Sequence, residues 1–210
     1  MLDGVMRRIV TPPLDGIAAW CAARGIAANA VTLLGAAFGL ACGACIAVGW
    51  FMPALACLAA SRIADGLDGA IARRSGITDF GGYLDIVCDF VFYSSVPVGF
   101  AILDSGRCAV AASLLLASFY LNGASFLGFS ALAAKRGMDT DVRGRKSLYF
   151  TTGLMEGSET IAFFAAFLIW PEYFPVLAPI FTALCLVTML ARMALAWRVF
   201  SVEDSGRRQG

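Results

Sequence analysis

The chain has 210 residues, 60% hydrophobic and 15% charged, with a net charge of +1 and a mean hydropathy of +0.78. That balance lies well above an ordinary soluble domain, points to an integral membrane protein and leaves no room for a large soluble domain. Histidine is absent, which excludes a histidine base, a histidine metal ligand and a Ser-His-Asp triad. Acid–base chemistry must then use Asp, Glu, Lys, Tyr or Cys, and any metal site must be rich in oxygen.

In chain order, Leu2, Val5, Met6, Ile9 and Val10 recur at helical spacing, while Asp3, Arg7 and Arg8 fall elsewhere on the wheel. Pro12 and Pro13 interrupt this pattern, and Leu14, Ile17, Ala18 and Cys21 resume it. Residues 1–24 thus read as amphipathic segments lying in the membrane interface. No apolar core precedes a small-residue cleavage site, so no cleavable signal peptide is expected. "GIAANAVT" leads into the first span, with Asn29 as the expected helix N-cap.

A span needs roughly 20 mostly apolar residues. Six windows fit: 30–48, 52–71, 83–103, 110–134, 148–170 and 175–197, separated by the breakers "GWFMP", "RRSGITDFGG", "DSGR", "KRGMDTDVRGRK" and "WPEYFP". The expected fold is all-α: one membrane domain over 1–203 with six transmembrane helices and an N-terminal interfacial helix, then a disordered tail over 204–210. With both termini on one side, Arg107 alone among the 16 Lys and Arg residues falls on the far side. The positive-inside rule then puts both termini and the loops "RRSGITDFGG" and "KRGMDTDVRGRK" in the cytoplasm. The seven cysteines, Cys42 and Cys45 included, read as small packing residues inside apolar helices.

Against this background stands "DGLDGAIARRSGITDFGGYLDIVCD". Asp65 and Asp68 are three apart near the cytoplasmic end of the second span, and Asp85 and Asp89 are four apart in the first turns of the third. Each pair lies on one helix face, and the short loop between the helices lets the faces meet. Four half-buried carboxylates repel strongly unless a cation neutralises them. Oxygen ligands suit Mg²⁺, Mn²⁺ or Ca²⁺. Four carboxylates can serve two ions about 3.5–4 Å apart, as in phosphoryl displacement. Gly66 and Gly69 leave room for a ligand, Arg73 can pair with a phosphate, and Gly81 and Gly82 open a helix whose free N–H groups favour anions.

The pattern Asp65-x-x-Asp68-Gly69-x-x-Ala72-Arg73 … Gly81-x-x-x-Asp85-x-x-x-Asp89 resembles the signature of the class I CDP-alcohol phosphatidyltransferase family, in a poorly characterised bacterial branch. The Arg73–Gly81 spacing is one residue shorter than the family's usual one, and Ala28 stands where a proline commonly precedes the asparagine. The resemblance implies transfer of a phosphatidyl group from CDP-diacylglycerol to an alcohol with release of CMP. It implies that Asp65, Asp68, Asp85 and Asp89 hold Mg²⁺ or Mn²⁺, as two ions, and that Asp89 is also the base for the acceptor hydroxyl. Gly69, Arg73 and Thr78 would contact the cytidine diphosphate, and Asn29 and Thr32 resemble the family's Asn-x-x-Thr facing the nucleotide. A homodimer in the bacterial inner membrane is implied, with the site on the cytoplasmic face and no nucleic-acid partner.

The acceptor is less constrained. Arg143, Arg145 and Lys146 stand where the fifth span begins, and family members with phosphorylated acceptors carry basic residues near this point. Lys146 is the expected acceptor contact, for glycerol 3-phosphate or another phosphorylated polyol. Positive-inside anchoring explains the same residues, and Arg192 has the same two readings. Glu156 and Glu159 would attract an amino-alcohol such as serine, or else form a polar kink bonded to a neighbouring helix. A lipid alcohol acceptor and, in a different class, a cation carrier complete the alternatives. Transport would favour carboxylates near mid-membrane and broken helices, whereas these cluster at one face.

Overall fold

The computed structural model describes residues 14–137 and 157–207, with side chains as far as Ser201. Among the described residues every regular element is helical: α1 Leu14–Ala23, α2 Ala28–Ala47, α3 Phe51–Ser75, α4 Asp79–Leu103, α5 Ser105–Lys135, α6 Gly157–Ile169, a 3₁₀ turn Pro171–Tyr173, and α7 Phe174–Arg207. By length and composition four helices can cross a membrane: Ala28–Ala47, Asp79–Leu103, Ser105–Lys135 and Pro171–Ser201. α3 is long enough at 25 residues, but its site-bearing half is too polar to join them. The described part of α6 has 13 residues. The segment of the N-terminus before residue 14 lies outside the described residues.

Two sequence expectations shift. The N-cap of α2 is Ala27, in extended conformation and without a side-chain cap bond, so Asn29 sits inside the first turn. The reason lies upstream, where Gly25 (φ 72°) closes the end of α1 with Ile26 N–H donating to Cys21 O at 3.0 Å. The chain therefore enters α2 early. At the other end, where an irregular tail is expected from residue 204, the backbone is helical to Arg207. Extending an existing helix needs no new nucleus.

α2 packs along both α3 and α4, α4 along α5, and α5 along α7. Lipid gives little hydrophobic drive for helices to associate, so close backbone approach matters. α2 provides it with Gly35, Gly39 and Gly43 on one stripe. A methyl at Gly35 would lie 3.2 Å from Ala64 Cβ, one at Gly39 would lie 3.0 Å from the Phe92 ring, and one at Gly43 would lie 2.5 Å from the Ser95 carbonyl oxygen. The seam is fixed by the buried Ser95 hydroxyl, 2.8 Å from Gly39 O across the helices and equally close to Phe92 O in its own. The core is aromatic, from Phe92 beside the site outward: Phe92, Phe100, Phe164, Phe167, Phe174 and Phe181 are fully buried. Phe100 stacks on Phe174 with centroids 4.1 Å apart.

α5 and α7, with 31 and 34 residues, reach about 46 and 51 Å at 1.5 Å per residue, well beyond a bilayer core of about 30 Å. Toward the site side they remain packed on each other, where Phe129, Ala133 and Phe200 form a separate small core.

Candidate active site

α3 and α4 bring the two aspartate pairs to one end of the bundle. α3 ends at Gly76 (φ 108°), after Arg73 and Arg74, whose charges suit a helix C-terminus. α4 restarts at Asp79, capped by Thr78 Oγ1, which accepts from Gly81 N–H at 3.0 Å. The chain thus reverses within a short link, and Asp65, Asp68, Asp85 and Asp89 line a single small cavity with Thr32, Ser61 and Arg62.

Asp68 is buried, and its Oδ2 has no hydrogen-bond partner. A buried carboxylate oxygen without a donor is costly, so this wall of the cavity has a need that a proton or a cation would meet. The all-oxygen donor set fits a hard divalent ion. The carboxylates do not stand as ready ligands, however. Among the described residues no three Asp, Glu, His or Cys side chains are arranged to hold one ion. Arg62 stands between two of them instead. Its Nη1 donates to Asp89 Oδ1 at 3.1 Å and lies 3.7 Å from Asp65 Oδ2, and its Nη2 donates to Ser61 Oγ at 3.2 Å.

A larger open cleft adjoins this cavity and shares Thr32, Asp68 and Asp85 with it. Asn29, Gly69, Arg73 and Thr78 line the cleft as well, so the residues expected around a nucleotide share one surface. Gly69 lets Arg73 lie close there. A methyl on it would come 3.3 Å from an Arg73 guanidinium nitrogen, so the arginine folds back over the bare helix. The other glycines behave differently from the expectation. Gly66 faces α1, where a methyl would sit 2.8 Å from Leu14 Cδ1, and so gives no room to a ligand. The Gly81 N–H is taken by Thr78 rather than free for an anion. α1 buries Ala18 and Cys21 against Val31, Ala64, Ala70 and Ile71, which braces α3 behind its aspartates.

A second partly buried arginine comes from α7. Arg192 Nη1 donates to Asn122 O at 3.1 Å, Asn122 Oδ1 at 2.9 Å and Ser125 Oγ at 2.9 Å, all on α5. Gly123 packs directly against the Phe90 ring of α4, and Phe90 follows Asp89. Arg192 is therefore tied to the turn of α5 that packs on Phe90, the residue after Asp89. Glu159 takes a hydrogen bond from Ser158 Oγ at 3.2 Å in the first turn of α6. Arg143, Arg145, Lys146 and Glu156 lie outside the described residues.

Sequence reasoning passed over Arg62 and Asn122. Arg62 had a usable signal, because it lies three residues before Asp65 and so on the same helix face. Asn122 had none beyond being a lone amide in an apolar run.

Comparison with known proteins agrees with this geometry. The CDP-alcohol phosphatidyltransferase family model matches residues 25–199. The chain is 40% identical over 209 residues to the inner membrane protein YnjF of Escherichia coli (strain K12), covering 100% of both. It is 29% identical over 200 residues to the archaetidylinositol phosphate synthase of Methanothermobacter thermautotrophicus, covering 92% of this chain and 91% of that one. The crystal structure of the Mycobacterium tuberculosis phosphatidylinositol phosphate synthase with CDP-DAG bound superposes with a TM-score of 0.70 at 21% identity, over 88% of this chain and 93% of that chain, which shows a shared fold. A family match over most of the chain, on a helical frame that gathers the signature aspartates around one cavity, establishes that this chain belongs to the CDP-alcohol phosphatidyltransferase family.

Proposed function

We propose that the chain transfers the phosphatidyl group of CDP-diacylglycerol to a phosphorylated polyol and releases CMP. The observation that carries this reading is the shared wall of the two cavities. Asp68 and Asp85 border both the carboxylate cavity and the cleft lined by Asn29, Gly69 and Arg73. A nucleotide in the cleft therefore lays its pyrophosphate against the carboxylates.

Asp65, Asp68, Asp85 and Asp89 would hold the divalent metal, Mg²⁺ or Mn²⁺, as two ions. Bound there, the metal neutralises pyrophosphate charge and makes CMP a better leaving group. The chain's own groups do the rest. Arg73, folded over Gly69, pairs with a phosphate of the nucleotide. Asp89 accepts the proton of the acceptor hydroxyl as its oxygen bonds to the lipid-bearing phosphorus. The bond from that phosphorus to the bridging oxygen breaks, and CMP leaves with the electron pair.

Arg192 supports a phosphorylated acceptor. The hydrogen bonds the described residues give it all use Nη1, and its guanidinium carbon lies 5.4 Å from the Phe126 ring centroid, which leaves Nε and Nη2 of a fixed guanidinium to bind a phosphate. The names of two relatives, archaetidylinositol phosphate synthase and phosphatidylinositol phosphate synthase, favour inositol phosphate over glycerol 3-phosphate within this class. Lys146 is proposed as a second acceptor contact. The protein is placed in the bacterial inner membrane as a six-span homodimer, with its termini and site facing the cytoplasm.

The test is CMP release from CDP-diacylglycerol and Mn²⁺ with inositol phosphate, glycerol 3-phosphate, serine and a lipid alcohol as competing acceptors. A phosphorylated polyol should be consumed first. Preferential use of serine would move the acceptor site toward Glu156 and Glu159.

A further inference from the structure

Arg62 is placed like a ligand of the site rather than a surface anchor. Its side chain is 15% exposed, unusual for an arginine near a water-facing cavity. Its guanidinium carbon lies over the fully buried Phe92 ring at 4.0 Å from the centroid, a favourable seat for a delocalised cation. One nitrogen reaches both Asp89 and Asp65, and another takes Ser61. Asp65 belongs to one helix and Asp89 to the next, so the guanidinium bridges α3 and α4 where the two aspartate pairs face each other.

We propose that Arg62 is a resident counter-ion of the Asp65–Asp89 edge, which it must yield for the site to take its full complement of divalent metal. Arg62 thereby sets the metal concentration at which the site fills. The idea rests on the proposed reading of the four aspartates as metal ligands and adds a competitor to it. Two observations support competition. Arg62 Nη1 sits on the edge shared by Asp65 and Asp89, 3.7 Å from one carboxylate and 3.1 Å from the other, where a cation bridging the two helices would sit. Meanwhile Asp68 Oδ2 in the same cavity stays without a hydrogen-bond partner. A guanidinium is fixed in charge and cannot be titrated away, so it leaves only by moving. The Phe92 face and Ser61 hold it when it releases the carboxylates. A divalent ion must displace a charge-assisted hydrogen bond and enter beside a positive charge.

The experiment is a Mn²⁺ titration of purified protein in detergent without substrate, following loss of the free-ion EPR signal. Wild type, Arg62→Met and Arg62→Lys are compared after size-exclusion chromatography confirms folding. Arg62→Gln replaces Arg62→Met should the latter aggregate. Arg62→Met should bind Mn²⁺ at least about tenfold more tightly, equivalent to about 1.4 kcal/mol, because stem length is kept and the competitor is lost. Arg62→Lys, which keeps a charge but not the two-sided fork, should fall closer to wild type. A merely structural arginine would not tighten metal binding when removed. Unchanged or weaker binding in the neutral variant, with wild type binding normally, overturns the counter-ion role alone. Absence of Mn²⁺ binding in every form overturns the metal site and this inference together.

Discussion

Replacing Arg192 by methionine keeps most of the aliphatic stem and removes the guanidinium. In the structure that guanidinium makes three hydrogen bonds to α5, at 2.9–3.1 Å, and faces the Phe126 ring. A hydrogen bond to a charged group is worth about 1.5–3 kcal/mol. If Arg192 gives one such bond to the acceptor's phosphate, its loss raises KM for a phosphorylated polyol by roughly 10- to 150-fold, at tenfold per 1.4 kcal/mol. The bond is made in ground and transition states alike, so kcat should change little. KM for the CDP-lipid should also hold, because its cleft is built from the α1–α2 turn, α2, α3 and α4. The Asn122→Ala control removes only the 2.9 Å acceptor on the side chain and leaves the backbone carbonyl, so its effect should be the smaller. Initial rates in mixed micelles, varying each substrate in turn, separate these outcomes. Folded Arg192→Met with an unchanged acceptor KM would refute the role given to Arg192.

Other changes probe separate parts of the account. Asp89→Asn keeps the shape and one ligand oxygen but cannot take the proton, so turnover should vanish while CDP-lipid binding, read by equilibrium dialysis, survives. Asp65→Asn should instead weaken Mn²⁺ and CDP-lipid binding together in the same assay. Gly43→Ala pushes a methyl to 2.5 Å from the Ser95 carbonyl, an overpacking cost of about 1–3 kcal/mol. The detergent-solubilised protein should melt lower, by more than in Ser95→Ala, and an equal or higher melting temperature would contradict the α2–α4 seam. Lys146→Ala should raise KM for the phosphorylated acceptor and spare that for the CDP-lipid; equal KM values would leave it an interfacial anchor.

The aspartate site was legible because its information is local. Spacings of three and four on two helices joined by a short link force one shared face, whatever the rest of the fold does. The helix windows were legible from hydropathy, and the described helices follow their order. Contacts that depend on a third element were not legible. Gly66 reads as open space for a ligand until Leu14 of α1 is seen over it. Thr78 reads as a nucleotide contact, yet its oxygen also caps α4. The stripe of Gly35, Gly39 and Gly43 carried a readable signal, small residues at every fourth position. Its partner, the backbone of α4 at Ser95, appears only in three dimensions. Arg62 shows the same limit, because a charge list treats it as one more cytoplasmic arginine while the structure sets it against Asp89.

The central claim is phosphatidyl transfer at the four-aspartate cavity, and the most direct measurement is product stoichiometry. CDP-diacylglycerol labelled in its lipid-side phosphate is incubated with purified protein, Mn²⁺ and a phosphorylated polyol. The account predicts one labelled phospholipid for each CMP released, both lost in excess chelator and both lost in Asp89→Asn. CMP release without a labelled lipid product, or transfer that persists in chelator, would contradict it.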